Sequence, residues 1–265
     1  MNIKKKYIIF LAGLLFFMFY LFWGPLFPWS PIKIGYKKIN TPIATIYISN
    51  ITEGDSAIYK ISDIIREDEK FHDLHFLKKI KIVFLNKDSH NKRYIPWLKG
   101  SGYSVSLSPL NLIYIGQNAR KSPSEIESYL KHELSHMLID QNTTFKKAMK
   151  IHQQAWLVEG IAEYFSGHIY YSKNKLNQFI NIDNAHPPNL IEKSPQEMSW
   201  QELQLNYSYY KYFIEFLIEK YSLKKMQKYL KHYAKNPAAY REIFTDVYSV
   251  ELNNVLNDFN SSFLE

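Results

Sequence analysis

The sequence predicts an α+β chain: an N-terminal transmembrane helix, then a small mixed sheet packed on a mainly helical domain. Three observations carry this. Residues 7–23 are an uncharged apolar run, β-branched runs are confined to residues 30–120, and helical apolar spacing dominates from residue 121 onward. The expected division is a membrane anchor over 1–29 and an extracytoplasmic domain over 30–265. With 46% hydrophobic and 16% aromatic residues, the domain has ample material for a core and is no disordered tail.

The anchor reads YIIFLAGLLFFMFYLFW after Lys4, Lys5 and Lys6. At about 1.5 Å per residue such a run reaches across a hydrocarbon layer of roughly 30 Å. The three lysines predict a cytoplasmic N-terminus, with Trp23 and Trp29 at the outer interface. A cleavable signal peptide would need small residues at its exit, and the sequence there is WGPLFPWSP, so an uncleaved signal anchor is the better reading.

Beyond the anchor, Ile43–Ile48, Ile80–Leu85, SVSLS and Asn111–Gly116 (NLIYIG) read as strands. Between the first two, Ile58, Ile61, Ile64 and Ile65 recur at helical spacing. Helices are expected from Pro123, around Trp156–Phe165, over 209–220 and 223–235, and as one or two short segments after Arg241.

Charge and cysteine content narrow the function. The formal charge is +8, from 33 Lys and Arg against 25 Asp and Glu, but no block of five like charges occurs. No basic cluster marks a nucleic-acid face, and no nucleic-acid partner is expected. With no cysteine, disulfides, Cys-ligated metal sites and thiol nucleophiles are excluded, so any metal must be held by His, Asp and Glu.

The chemistry is concentrated in 122–165. Ser122, Pro123 and Glu125 form a helix start of the capping-box type. In the helix that follows stands His132-Glu133-Leu134-Ser135-His136, an H-E-x-x-H motif. A spacing of four puts both imidazoles on one face, where they can grip a single Zn2+ ion. Glu133, displaced by about 100° around the helix, can hold the attacking water.

A second helix, Trp156-Leu157-Val158-Glu159-Gly160-Ile161-Ala162-Glu163-Tyr164-Phe165, carries two carboxylates one turn apart. Catalytic zinc takes three protein ligands and leaves one position open, which makes Glu159 the third ligand. Glu163 is placed to accept the free ring N–H of a ligating histidine. Gly160 would let the two helices approach closely. His152, His168 and His186 are rival ligands that lack turn-spaced partners, and each reads better as a surface histidine.

On these residues the chain resembles the gluzincin metallopeptidases, within the peptidase MA-like families. His132, Glu133 and His136, then Trp156, Glu159, Gly160, Ala162, Glu163 and Tyr164, match H-E-x-x-H and W-x-x-E-G-x-A-E-Y. Tyr207, Phe213, Leu217 and Tyr221 match a following tyrosine-containing helix, and the likeness covers about residues 110–225. It implies hydrolysis of peptide bonds by a zinc-activated water, with Glu133 as general base and a peptide or protein as substrate. It implies that Tyr207 stabilises the oxyanion, with Tyr209 and Tyr210 as the next candidates, and that NLIYIG is the edge strand on which an extended peptide is laid.

Two positions depart from the pattern: Glu163 replaces the more usual Asp, and Ser222 replaces a helix-closing glycine. Metzincins are excluded, since their glycine and third histidine would fall at Ile139 and Asn142. The alternative reading is a non-catalytic metal-binding scaffold for peptides or envelope polymers.

Overall fold

The computed structural model describes residues 3–49, 58–85, 94, 104–144, 147, 150–182 and 198–264. They form two compact units interleaved in sequence: Met1–Tyr59 with Lys79–Ile126, and Lys60–Lys78 with Glu127–Glu265.

The first unit begins with α1, Ile3–Trp23, a helix long and apolar enough to cross a membrane. The helix ends at Trp23, short of the expected anchor boundary at 29. The next residues already belong to the folded body: Phe27 is fully buried and stacks on Tyr94 with ring centroids 4.0 Å apart. Trp29 is 55% exposed. Lys33 is buried and donates its Nζ to the carbonyls of Phe27 and Pro28, and its burial, with Lys81 nearby, pulls its pKa down to about 7.

The unit's sheet has five strands: β1 (Lys37–Asn40), β2 (Ala44–Ile48), β3 (Ile80–Phe84), β4 (Ser104–Leu107) and β5 (Leu112–Ile115), in the order β1-β2-β3-β5-β4. The central pairs β2–β3 and β3–β5 are parallel, and the outer pairs β1–β2 and β4–β5 are antiparallel. Parallel strands are covered on both faces, so they read as continuous apolar runs. IATIYI, IKIVFL and NLIYIG all do.

This corrects the placing of NLIYIG at the edge. Its strand, β5, is buried along its whole length between β3 and β4. The edge is β4, whose SVSL residues are all half-buried. The other edge, β1, with its sequence KKIN, offered no apolar alternation to recognise.

The second unit contains α2 (Ile61–His72), α3 (Pro123–Gln141, from residue 127), α4 (Ala155–Ser166), α5 (Lys173–Ile182), α6 (Trp200–Tyr221), α7 (Leu223–Lys235), α8 (Tyr240–Tyr248) and α9 (Leu252–Leu264). Its core is strongly aromatic. Trp156 of α4 packs on Phe213 of α6 and Tyr229 of α7, and Phe244 stacks on Tyr248 within α8. Each such ring pair contributes about 0.5–1.5 kcal/mol beyond the area it buries. Much of the chain's aromatic content is therefore spent on packing. The end of α2 joins the same core, with Phe71 stacked on Phe165 at 4.8 Å.

Local signals set the helix ends. Ser122 Oγ accepts the Glu125 N–H, forming one half of the expected capping box. A complete box opens α6, where Ser199 and Glu202 cap each other reciprocally. Gly167, at φ 70°, closes α4 in the left-handed conformation that glycine adopts without strain.

Candidate metal centre

Helix α3 sets His132 and His136 one turn apart, with their Nε2 atoms 3.0 Å from each other. From α4, Glu159 Oε2 lies 3.5 Å from His132 Nε2 and 3.3 Å from His136 Nε2. These three side chains form a group able to hold a metal ion. Tetrahedral ligands about 2.0–2.2 Å from a zinc ion stand about 3.3–3.5 Å from one another, close to this triangle. Glu159 Oε2 is also buried, facing both histidine nitrogens. Two imidazole nitrogens and one carboxylate oxygen suit zinc and neighbouring transition metals.

The electrostatics follow from this crowding. Burial disfavours charge on His132, yet its hydrogen bonds to Glu159 and Glu163 outweigh that and raise its pKa well above the histidine range. Burial alone would raise the pKa of Glu159, but His136 and His132 hold it well below the usual carboxylate range. A cation entering here exchanges with a proton.

Glu163, one turn beyond Glu159, is only 2% exposed. Its Oε1 lies 3.3 Å from His132 Nδ1, so the ring is oriented with Nε2 towards the other ligands. Against the effect of burial, His132 and His168 keep the Glu163 carboxyl below its normal pKa. Glu133 sits on α3 between the two histidines in sequence and is 6% exposed.

Of the three tyrosines considered from the sequence, Tyr207 is the one hydrogen-bonded to Glu159. Burial first, then Glu159, raise its pKa well above the phenol range, so it remains an O–H donor. Tyr209 instead donates to Asn260, and Tyr210 to Asn206 at 3.4 Å. A further phenol, Tyr170, was not foreseen. Its ring lies 6.4 Å from that of Tyr207, and burial followed by Glu163, Tyr129, Glu159 and Glu133 raises its pKa.

Of the rival histidines, His152 and His168 are outside the ligand triangle. His152 pairs with Asp140 at 2.9 Å, and its side chain is 45% exposed. His168 is not the expected surface histidine: its Nδ1 is 3.2 Å from Glu163 Oε2. His186 lies outside the described residues.

Behind α3 is a second polar cluster that the sequence did not reveal. Asp68 Oδ1 lies 2.9 Å from His72 Nδ1, both side chains are fully buried, and Ser135 Oγ donates to the same oxygen at 3.3 Å. In the sequence, ISDIIREDEKFH shows Asp68 only as one acid among several. The i, i+4 spacing of Asp68 and His72 was the available signal.

In comparisons with known proteins, no family model matches the chain, and no curated protein matches it.

Proposed function

We propose that the chain is a membrane-anchored, zinc-dependent peptidase of the gluzincin type, acting on peptide or protein substrates outside the cytoplasm. The observation that carries this reading is the convergence of His132 Nε2, His136 Nε2 and Glu159 Oε2, with Glu133 beside them in an H-E-x-x-H motif. Zinc held there would supply a Lewis acid that polarises the scissile carbonyl and lowers the pKa of water.

The remaining tasks fall to the chain's own side chains. Glu133 takes a proton from the attacking water and delivers it to the leaving amine. Tyr207, kept protonated beside Glu159, donates its O–H to the developing oxyanion. Glu163 fixes the tautomer of His132 through Nδ1. In this reading α1 is the anchor, and the lysines at its start hold the N-terminus in the cytoplasm.

The test is cleavage of a mixed peptide library by the full chain, with chelator, without it, and after zinc is restored. Cleavage should stop with chelator and return with zinc, and Glu133→Gln should bind zinc while losing at least about 100-fold in rate. Undiminished cleavage by Glu133→Gln overturns the mechanism. A wild type that holds zinc and cleaves nothing is a scaffold.

A further inference from the structure

We infer that His168 is a positioning residue of the metal centre, holding Glu163 and, through it, the ring of His132. The inference rests on the metal-binding reading above and adds to it a residue outside both sequence motifs.

The geometry is a chain of three side chains. Glu163 uses one carboxylate oxygen on each histidine: Oε1 is 3.3 Å from His132 Nδ1, and Oε2 is 3.2 Å from His168 Nδ1. A glutamate's terminal torsion is broad and roughly two-fold, so a carboxylate held at one oxygen can swing. Held at both, it presents Oε1 to His132 in a single direction. That direction sets where His132 Nε2 points, 3.0 Å from His136 Nε2 and 3.5 Å from Glu159 Oε2.

His168 is itself immobilised to a degree that a surface histidine is not. Its backbone N–H donates to Ser166 Oγ at 3.2 Å, and the Ser166 hydroxyl donates to the Glu163 carbonyl at 3.1 Å. From α6, Lys211 Nζ donates to the His168 carbonyl at 2.8 Å. The ring is met edge-on by Tyr170 at 4.2 Å and lies 5.7 Å from Tyr129. The left-handed turn at Gly167 reverses the chain just after α4, which brings residue 168 back beside residue 163. With Nδ1 committed to Glu163, His168 supports the centre from outside the ligand triangle.

Outer partners of this kind change metal affinity by about 10–100-fold when removed. The experiment measures the zinc dissociation constant of the full chain in detergent by competition with a chromophoric chelator. Alongside it, thermal unfolding is followed with and without zinc. His168→Ala should weaken zinc binding by about 10–100-fold and shrink the zinc-induced rise in melting temperature, while the EDTA-treated protein melts as the wild type does. His168→Asn, whose amide N–H stands near the position of Nδ1, should recover most of the affinity.

Zinc affinity in His168→Ala within twofold of wild type overturns the inference. So does a fall in the EDTA-treated melting temperature as large as that with zinc, because the role would then be structural. If the wild type itself takes up no zinc, the metal reading falls and this one with it. If the wild type binds zinc and His168→Ala binds equally well, only this inference falls.

Discussion

Gly160 lies so close to Tyr210 that an added Cβ would sit 2.9 Å from the Tyr210 carbonyl oxygen and 2.9 Å from the Ile214 side chain. The glycine was expected to bring the two motif-bearing helices together. The helix it admits is instead α6, which carries Tyr207. Because the obstacle includes backbone, Gly160→Ala must push α4 and α6 apart. It should cost about 1–3 kcal/mol of stability, the usual penalty of overpacking. It should also weaken zinc binding, since Glu159 is the neighbouring residue. Thermal unfolding and a zinc titration check this. A variant as stable as wild type would show that α6 can retreat freely.

Tyr207→Phe separates two uses of one phenol. The hydroxyl is hydrogen-bonded to Glu159, yet the proposed role is donation to the substrate oxyanion. If the second role dominates, the phenylalanine variant keeps its zinc, keeps KM near that of wild type, and loses about 100–1,000-fold in kcat. A variant with normal kcat per bound zinc and weakened zinc binding would make Tyr207 a support for Glu159 only.

Ser222 stands where the resemblance led to the expectation of a glycine, and its backbone conformation is one that glycine would suit. Its φ of 102° and ψ of 151° fall in a region that side chains other than glycine's avoid, at a cost of about 1–3 kcal/mol. What the serine contributes is a cap, with its Oγ accepting the Lys225 N–H at 3.4 Å. Replacing a serine cap by glycine loses only about a few tenths of a kcal/mol, and the freer unfolded chain costs about 0.5–1 kcal/mol more. Ser222→Gly should therefore stabilise the protein by about 1 kcal/mol. A lower melting temperature for this variant would mean that the strain is relieved elsewhere.

These positions show which parts of the fold the sequence makes legible. Turn-spaced pairs on one helix, His132 with His136 and Glu159 with Glu163, are visible because helical geometry alone places their members on one face. Buried parallel strands are visible as apolar runs, and the uninterrupted LIYI of β5 was itself the sign of a central strand. The partner of Gly160 and the role of His168 were hidden. Both depend on contacts between elements distant in sequence or on a turn whose direction no local pattern encodes. The Asp68–His72 pair was hidden because an acid and a histidine in a charged helix look alike whether they face solvent or core.

Zinc uptake should depend on pH in a definite direction. Despite its burial, His132 has a pKa raised well above 6.5 by Glu159 and Glu163, and Glu159 has one lowered well below 4.5 by His136 and His132. The stabilisation from protonated His132 is fully present below its unfolded value and is lost as pH rises through its raised folded value. That from ionised Glu159 is present above its unfolded value and is lost as pH falls through its lowered folded value. Metal needs His132 neutral, so binding expels one proton. Affinity should rise about tenfold per pH unit between about pH 6 and 8 and level off only above the raised His132 value. Titrations in buffers of different ionisation enthalpy measure the proton directly. A flat affinity over that range, or no proton release, would remove His132 from the ligand set.

The Asp68–His72–Ser135 cluster predicts a graded response to mutation. Burial raises the Asp68 pKa, and His72 and Ser135 oppose that rise. Removing the carboxylate by Asp68→Ala leaves His72 Nδ1 with only the residue-68 backbone carbonyl, at 2.9 Å, and loss of a buried hydrogen-bond partner costs about 1–3 kcal/mol. Ser135→Ala removes one buried hydrogen bond and should cost about 0.5–1.5 kcal/mol. The Asp68→Ala, Ser135→Ala double variant should then be less destabilised than the sum of the two, because the serine's bond is already lost with the carboxylate. Chemical unfolding of the three proteins measures this directly. Strict additivity would mean that Ser135 acts through its bond to the Lys131 carbonyl, at 2.9 Å, and not through Asp68.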